Sequence, residues 1–311
     1  MEELLETTPT PPIPQKQPRW IAAFIIVAKI IGCGLAWAIM TSLFGFGMTL
    51  LSDSVSSEDL MVSDVSNWQA TSWIYSGVLA GTFLVIYFFR VVLDRRPFST
   101  VGFTSNKIVQ RLVKGALYAI VLLSISFLLL WLLGGVKITD VAFQPLDLLG
   151  FLLLFFLAAL VEELLFRGYM IPLIAWEFHF LVALIVSSLA FAALHIGNAH
   201  FTWISFANIF LGGYLMGLLF FKNQEIYTPF GLHWIWNYFQ GNVLGFGVCG
   251  YQVASILRIE QTGSDWLTGG DFGLEGSMIT VILLLGLSIY LTQLWYSELS
   301  AIGKGERQPV A

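Results

Sequence analysis

From residue 20 to residue 295 the chain is a succession of apolar runs separated by short polar breaks. A membrane-spanning helix needs about 20 mostly apolar residues. Runs at 20–51, 72–93, 108–133, 146–174, 180–196, 203–221, 230–248 and 277–295 meet or approach that length. The fifth and seventh are the shortest and carry polar residues. Irregular or polar backbone at membrane depth is tolerated only where protein or a water-filled cavity covers it, so these two runs point to a cavity. The expected fold is all-α: a polytopic membrane protein of about eight transmembrane helices enclosing an intramembrane polar cavity.

Composition excludes the other classes. Hydrophobic residues make up 57% of the 311 residues and charged residues 11%, against roughly half and a quarter in soluble domains. A soluble enzyme, a disordered chain and a disulfide-stapled module are all ruled out. The net charge of -5 leaves no basic stripe to hold phosphates, so no nucleic-acid partner is expected; lipid is the expected surrounding. Cys33 and Cys249 match no metal spacing and read as packing residues.

The chain divides by composition into a proline-rich, disordered cytoplasmic tail (1–19), an N-terminal set of membrane helices (20–145), a core carrying the polar motifs (146–250), and a last loop, helix and tail (251–311). A cleavable signal peptide competes for the first run, because Ala36-Trp37-Ala38 resembles a small-x-small site. The run continues well past the 7–15 residues of a signal core, which favours a retained helix. Lys16, Arg19, Arg95, Arg96, Lys107, Arg111, Lys114, Arg167, Lys222, Lys304 and Arg307 fall on one side of eight alternating spans. Lys137 and Arg258 fall on the other, with the acids Asp53, Glu58, Asp59 and Asp64. The positive-inside rule then puts both termini in the cytoplasm, in what reads as a bacterial plasma membrane. No internal repeat is visible. Gly213-x-x-x-Gly217 and Gly241-x-x-x-Gly245 read as ordinary packing positions. Lys29, inside the first run, is ranked to snorkel first, to pair with a buried acid second and to serve function last.

Ionisable groups in the bilayer core are expensive, so each is a functional candidate. They fall in three clusters. The first is Glu162-Glu163-Leu164-Leu165-Phe166-Arg167, where Glu163 and Arg167 have the i, i+4 spacing of an ion pair. Glu162 points about 100° away around the helix and is left available. The second is Phe191-Ala192-Ala193-Leu194-His195; the third is His233-Trp234-Ile235-Trp236-Asn237, with imidazole and amide on one helical face. Asn198 and His200 read as interfacial and solvated, and His179 as a loop residue.

A carboxylate, two imidazoles, an amide and an orienting ion pair suit amide-bond hydrolysis. A carboxylate in an apolar cavity is a better base near neutral pH. Glu162, with His195 sharing the load, can take a proton from water while His233 and Asn237 hold the oxyanion. The same set can instead hold zinc through Glu162, His195 and His233, although no HExxH motif is present. The residues leave both schemes open. A proton-coupled transporter would also carry intramembrane acids and histidines, and a catalytically idle scaffold or immunity protein would keep such motifs for packing.

Glu-Glu-x-x-x-Arg, Phe-x-x-x-His and His-x-x-x-Asn, in this order and each in its own helix, resemble the CPBP family of CAAX-type prenyl-protein endopeptidases and bacteriocin-linked relatives. The likeness runs from Leu146 to Gly250 and includes Phe166-Arg167-Gly168-Tyr169 and Gly231-Leu232-His233. It implies an all-helical intramembrane protease acting on a membrane-associated protein or peptide. In that family the first glutamate and the motif-two histidine activate water, here Glu162 and His195. The oxyanion hole falls on His233 and Asn237, and the supporting pair on Glu163 and Arg167. The family is commonly labelled metalloprotease, though a metal-free glutamate mechanism has also been argued. One geometric demand follows. In straight parallel helices His195 lies about 22 Å along its run at 1.5 Å per residue, whereas His233 lies near the start of its own, so the two would not be level.

Overall fold

The computed structural model describes residues 18–51, 67–104 and 106–303. The tail expected to be disordered (its residues 1–17) and the acids Asp53, Glu58, Asp59 and Asp64 lie outside the described residues, as do Lys304 and Arg307. Among the described residues, seven helices are long and apolar enough to cross a membrane. They are α1 (Arg19–Leu50), α2 (Trp68–Leu93), α3 (Ile108–Leu132), α4 (Pro145–Ala175), α5 (Phe180–Gly197), α6 (Trp203–Asn223) and α8 (Met278–Gly303). Between the last two lies α7, residues 227–243, the helix expected at 230–248. It starts earlier, stops earlier and is the most polar of the set.

Among the described residues the bundle is helical apart from one antiparallel strand pair, β1 (Val136–Val141) with β2 (Leu257–Gln261), in register Val136↔Gln261 with an irregularity between Ile138 and Asp140. The strands follow α3 and α7, so the chain must leave both helices at the same end of the bundle. The opposite end is tied together by its own set of contacts. There the Arg96 guanidinium lies 3.5 Å over the Trp176 ring, Arg111 Nη1 donates to Asn223 at 2.7 Å, and Lys222 pairs with Glu298. Both ends fit alternating spans with the basic residues gathered at one of them.

Local chemistry fixes where the helices begin. Pro145 opens α4 with Asp147 in its first turn, where proline has no amide to waste and a carboxylate meets the helix dipole. Asp147 also accepts from Trp68 Nε1 at 3.0 Å, joining the starts of α2 and α4. Thr202 and Ser205 form a capping box on α6, and His179 accepts from Leu181 N at 3.3 Å to cap α5. Buried Glu225 accepts from Tyr227 N at 2.8 Å and from Thr228 Oγ1 at 2.7 Å at the start of α7.

Packing then positions the site. α3 crosses α7 with a glycine on each side: a Cβ on Gly115 would stand 2.1 Å from Thr228 O, and one on Gly231 would stand 2.3 Å from Leu112 O. Gly213 and Gly217 face Phe191 and Leu184 on α5, which is the packing role expected of them. Gly241 and Gly245 do not mediate a helix crossing. Gly245 has φ +83° and abuts Leu257 O, so it turns the chain out of α7 towards β2. Outward faces stay apolar, with Phe24, Leu35 and Leu43 of α1 each more than half exposed, as a lipid-facing surface requires.

Lys29 corrects its expected ranking. Its Nζ lies 2.5 Å from Oδ1 of Asp94, a carboxylate only 5% exposed that also meets Arg90 at 3.5 Å. Pairing with a buried acid therefore displaces simple snorkelling. An uncompensated Asp94 would be costly there.

Candidate active site

The α turns of α4 end at Glu163, and the next residues, Leu164–Met170, wind as a π-helix before α turns resume. Such single π turns recur at functional sites because the extra residue re-aims side chains. Glu163 and Arg167 straddle the change. Arg167 Nη1 donates to Glu163 Oε1 at 2.7 Å, with both side chains at most 1% exposed. Nη2 of Arg167 donates to Gly213 O at 3.3 Å, and the guanidinium lies 4.5 Å over the Phe191 ring. A carboxylate, a carbonyl and an aromatic face thus surround the buried cation.

The third motif reaches the same carboxylate. His233, seven residues into α7, meets Glu163 Oε1 through Nδ1 at 2.9 Å. The carboxylate can only accept, so Nδ1 carries the proton and the ring is held by its rear nitrogen. Nε2 then faces Glu162, whose Oε2 lies 3.7 Å away. α7 is held against α4 by Trp234 Nε1 donating to Leu152 O at 2.8 Å and by Phe156 edge-on to Phe230 and Trp234.

The two glutamates differ as their spacing predicts. Glu163 is fully buried inside the ion pair, whereas the Glu162 side chain is 29% exposed; in each, Oε2 has no hydrogen-bond partner among the described residues. Asn237 follows His233 by one turn, is 8% exposed, and makes no side-chain hydrogen bond among the described residues. An amide left without a protein partner one turn from an imidazole is available to an incoming oxygen.

His195 ends the α turns of α5. Its Nδ1 donates to Phe191 O at 2.8 Å, which leaves Nε2 with its lone pair outward. Neither glutamate lies within ion-pair distance of it among the described residues. Its link to the other motifs is Phe191, whose ring stands 4.9 Å from the His195 ring, 5.8 Å from the His233 ring and 5.2 Å from Phe166. The two histidine rings are therefore not level and are linked through Phe191. Phe191, one turn before His195, packs on His233, and His195 stands a turn further along.

His195 and His233 share the lining of a cavity of about 40 Å³, room for a water molecule or two. Asn208, Cys249 and Glu275 complete its polar lining; Glu162 and Asn237 stand outside it. Phe191, Asn208 and Glu275 had no assigned role in the sequence. Asn208 and Glu275 come from segments with no motif spacing, so only the folded chain reveals them.

The residues do not fit a zinc ion. No three His, Cys, Asp or Glu side chains converge as a ligand set among the described residues. His233 presents Nε2 to Glu162, while His195 stands beyond Phe191, so Glu162, His195 and His233 do not form one coordination sphere. Cys33 and Cys249 are both free thiols; Cys33 is buried in packing, and Cys249 lies at the cavity wall. His200 is exposed beside Asp271 at 3.7 Å, as an interfacial residue should be.

Residues 144–239, just under a third of the chain, match the Rce1-like family model, described as type II CAAX prenyl endopeptidase Rce1-like. The match spans all three motifs and agrees with the resemblance they carry. No curated protein and no solved structure matches the chain.

Proposed function

We propose that this protein is an intramembrane endopeptidase that hydrolyses a peptide bond in a membrane-associated protein or peptide. The observation carrying this reading is the His233 imidazole, pinned through Nδ1 to the Glu163–Arg167 pair and offering Nε2 to Glu162. A base and an electrophilic partner thus stand side by side at a wall of the bundle's polar interior. The match to the Rce1-like model over the same residues supports the same reaction class.

In the proposed reaction, Glu162 takes a proton from water as the oxygen attacks the scissile carbonyl carbon. His195, with the lone pair of Nε2 free, accepts from a water in the adjoining cavity and helps to hold it. The carbonyl π electrons move onto oxygen, and the resulting oxyanion accepts hydrogen bonds from Asn237 and from His233. To donate there, His233 needs a proton on Nε2 as well as on Nδ1. Collapse of the tetrahedral species expels the amine, which leaves with the proton that Glu162 received. No step requires a metal.

The proposed orientation places the end carrying Arg96, Arg111 and Lys222 in the cytoplasm, following the positive-inside rule. The proposed organisation keeps residues 146–250 as the catalytic core, with the flanking helices supporting it.

The test is an unbiased comparison of membrane peptides from vesicles containing the wild-type protein, His195→Ala protein or none. Peptides that shorten with the wild type alone support the reading. Identical peptide patterns in all three sets would refute it.

A further inference from the structure

Glu275 lies in the loop between β2 and α8, far from every motif in sequence, yet its side chain lines the same cavity as His195 and His233. It is 8% exposed. Its Oε2 accepts from Cys249 N at 3.1 Å and from Cys249 Sγ at 3.4 Å. Among the described residues no cation pairs with it, and no lysine or arginine lines the cavity. A buried carboxylate normally carries a compensating positive charge.

A second group in the same wall is also unsatisfied. Asn208 is 2% exposed. Its Nδ2 donates to Leu274 O at 3.2 Å and to Ser277 O at 3.5 Å. Two carbonyl acceptors fix the amide's orientation, so the atom left over is Oδ1, buried and without a partner. The cavity lining therefore includes the Glu275 carboxylate, with Asn208 and His195 beside it and no lysine or arginine. What is missing is a compact donor with a positive charge.

We infer that this cavity is a substrate subsite for a primary ammonium group, a lysine side chain or a free amino terminus, held by Glu275 beside the reacting carbonyl. The inference rests on the protease reading for the ammonium's being part of a cleaved substrate. The volume of about 40 Å³ suits an ammonium taking the place of one or two waters. A free carboxylate terminus entering the same cavity would meet Glu275 as a like charge, so the subsite selects against it.

The test uses the full chain in neutral phosphatidylcholine nanodiscs, which remove lipid attraction for basic peptides. The probes are palmitoylated decapeptides that carry lysine or norleucine, in turn, at each position. Cleavage is measured for wild type and Glu275→Gln, and binding is measured in a Glu162→Gln background with and without Glu275→Gln. The Gln variant keeps an acceptor for Cys249 N–H while removing the charge, so a purely structural role of Glu275 would not move the lysine-to-norleucine ratio. At one position the wild type should favour lysine by about tenfold, and Glu275→Gln should bring that ratio near unity. Absence of a preference at every position, or a preference that survives Glu275→Gln, overturns the subsite. Binding that discriminates without cleavage supports the subsite and removes the protease reading; cleavage that does not discriminate does the reverse. Loss of both overturns both.

Discussion

Glu163 and His233 are joined by a 2.9 Å hydrogen bond between positions 70 residues apart, and that carboxylate oxygen also accepts from Arg167 at 2.7 Å. One buried atom therefore couples two helices and sets the imidazole's tautomer. In the proposed reaction this arrangement separates support from chemistry. Glu163 is fully buried between Arg167 and His233, bonding both through Oε1, while the Glu162 side chain is 29% exposed with Oε2 3.7 Å from the His233 ring.

Removing one partner from this buried pair should be worse than removing both. Arg167→Ala leaves the Glu163 charge with only His233, and the expected loss is about 3–5 kcal/mol of stability. The Arg167→Met, Glu163→Leu double variant should recover much of that loss while remaining inactive, because His233 loses its anchor. Thermal and denaturant unfolding in nanodiscs, read as a double-mutant cycle, measures this; equal or additive losses would show that the two residues are not coupled.

Asn237 should behave in the opposite way. It has no hydrogen bond to lose among the described residues, so Asn237→Ala should leave the unfolding midpoint nearly unchanged. As an oxyanion donor it should lower kcat about 10²–10³-fold with a smaller change in KM. A variant that lowers stability and leaves kcat intact would assign Asn237 to packing.

The Gly115–Gly231 crossing carries a steric prediction. A methyl group on either residue would stand within 2.3 Å of a backbone oxygen of the partner helix, and backbone cannot step aside as a side-chain tip can. Gly231→Ala should therefore displace α7 and with it His233, reducing both stability and turnover. Gly286 on α8, whose Cβ would meet nothing within 4 Å, provides the control: Gly286→Ala should be tolerated. Comparable losses in both variants would mean that the crossing does not position the site.

Much of this organisation was legible in the chain. Apolar run length locates the helices because lipid imposes it, and the i, i+4 spacing of Glu163 and Arg167 foretells their pair because helix geometry imposes that. The failures share a cause. Lys29 finds Asp94 across 65 positions, and Glu275 meets the cavity from a polar loop; no local periodicity records either encounter. The seventh run was displaced because hydropathy continues through 244–248, whereas the chain turns at Gly245. The π turns of α2, α4 and α7 likewise have no compositional mark. The motif spacings pick out the polar side chains, but only packing reveals that Phe191 stands between the two histidines.

The most direct measurement is the rate at which the reconstituted wild type and Glu162→Gln hydrolyse a membrane peptide, taken with the unfolding midpoint of each. Glu162 is partly exposed, and its Oε2 is without a hydrogen-bond partner, so the variant should unfold with the wild type. Its hydrolysis should fall by about 10²–10⁴-fold, as expected on removing a general base. Undiminished hydrolysis by a folded Glu162→Gln protein would contradict the assignment of Glu162 as the group that activates water.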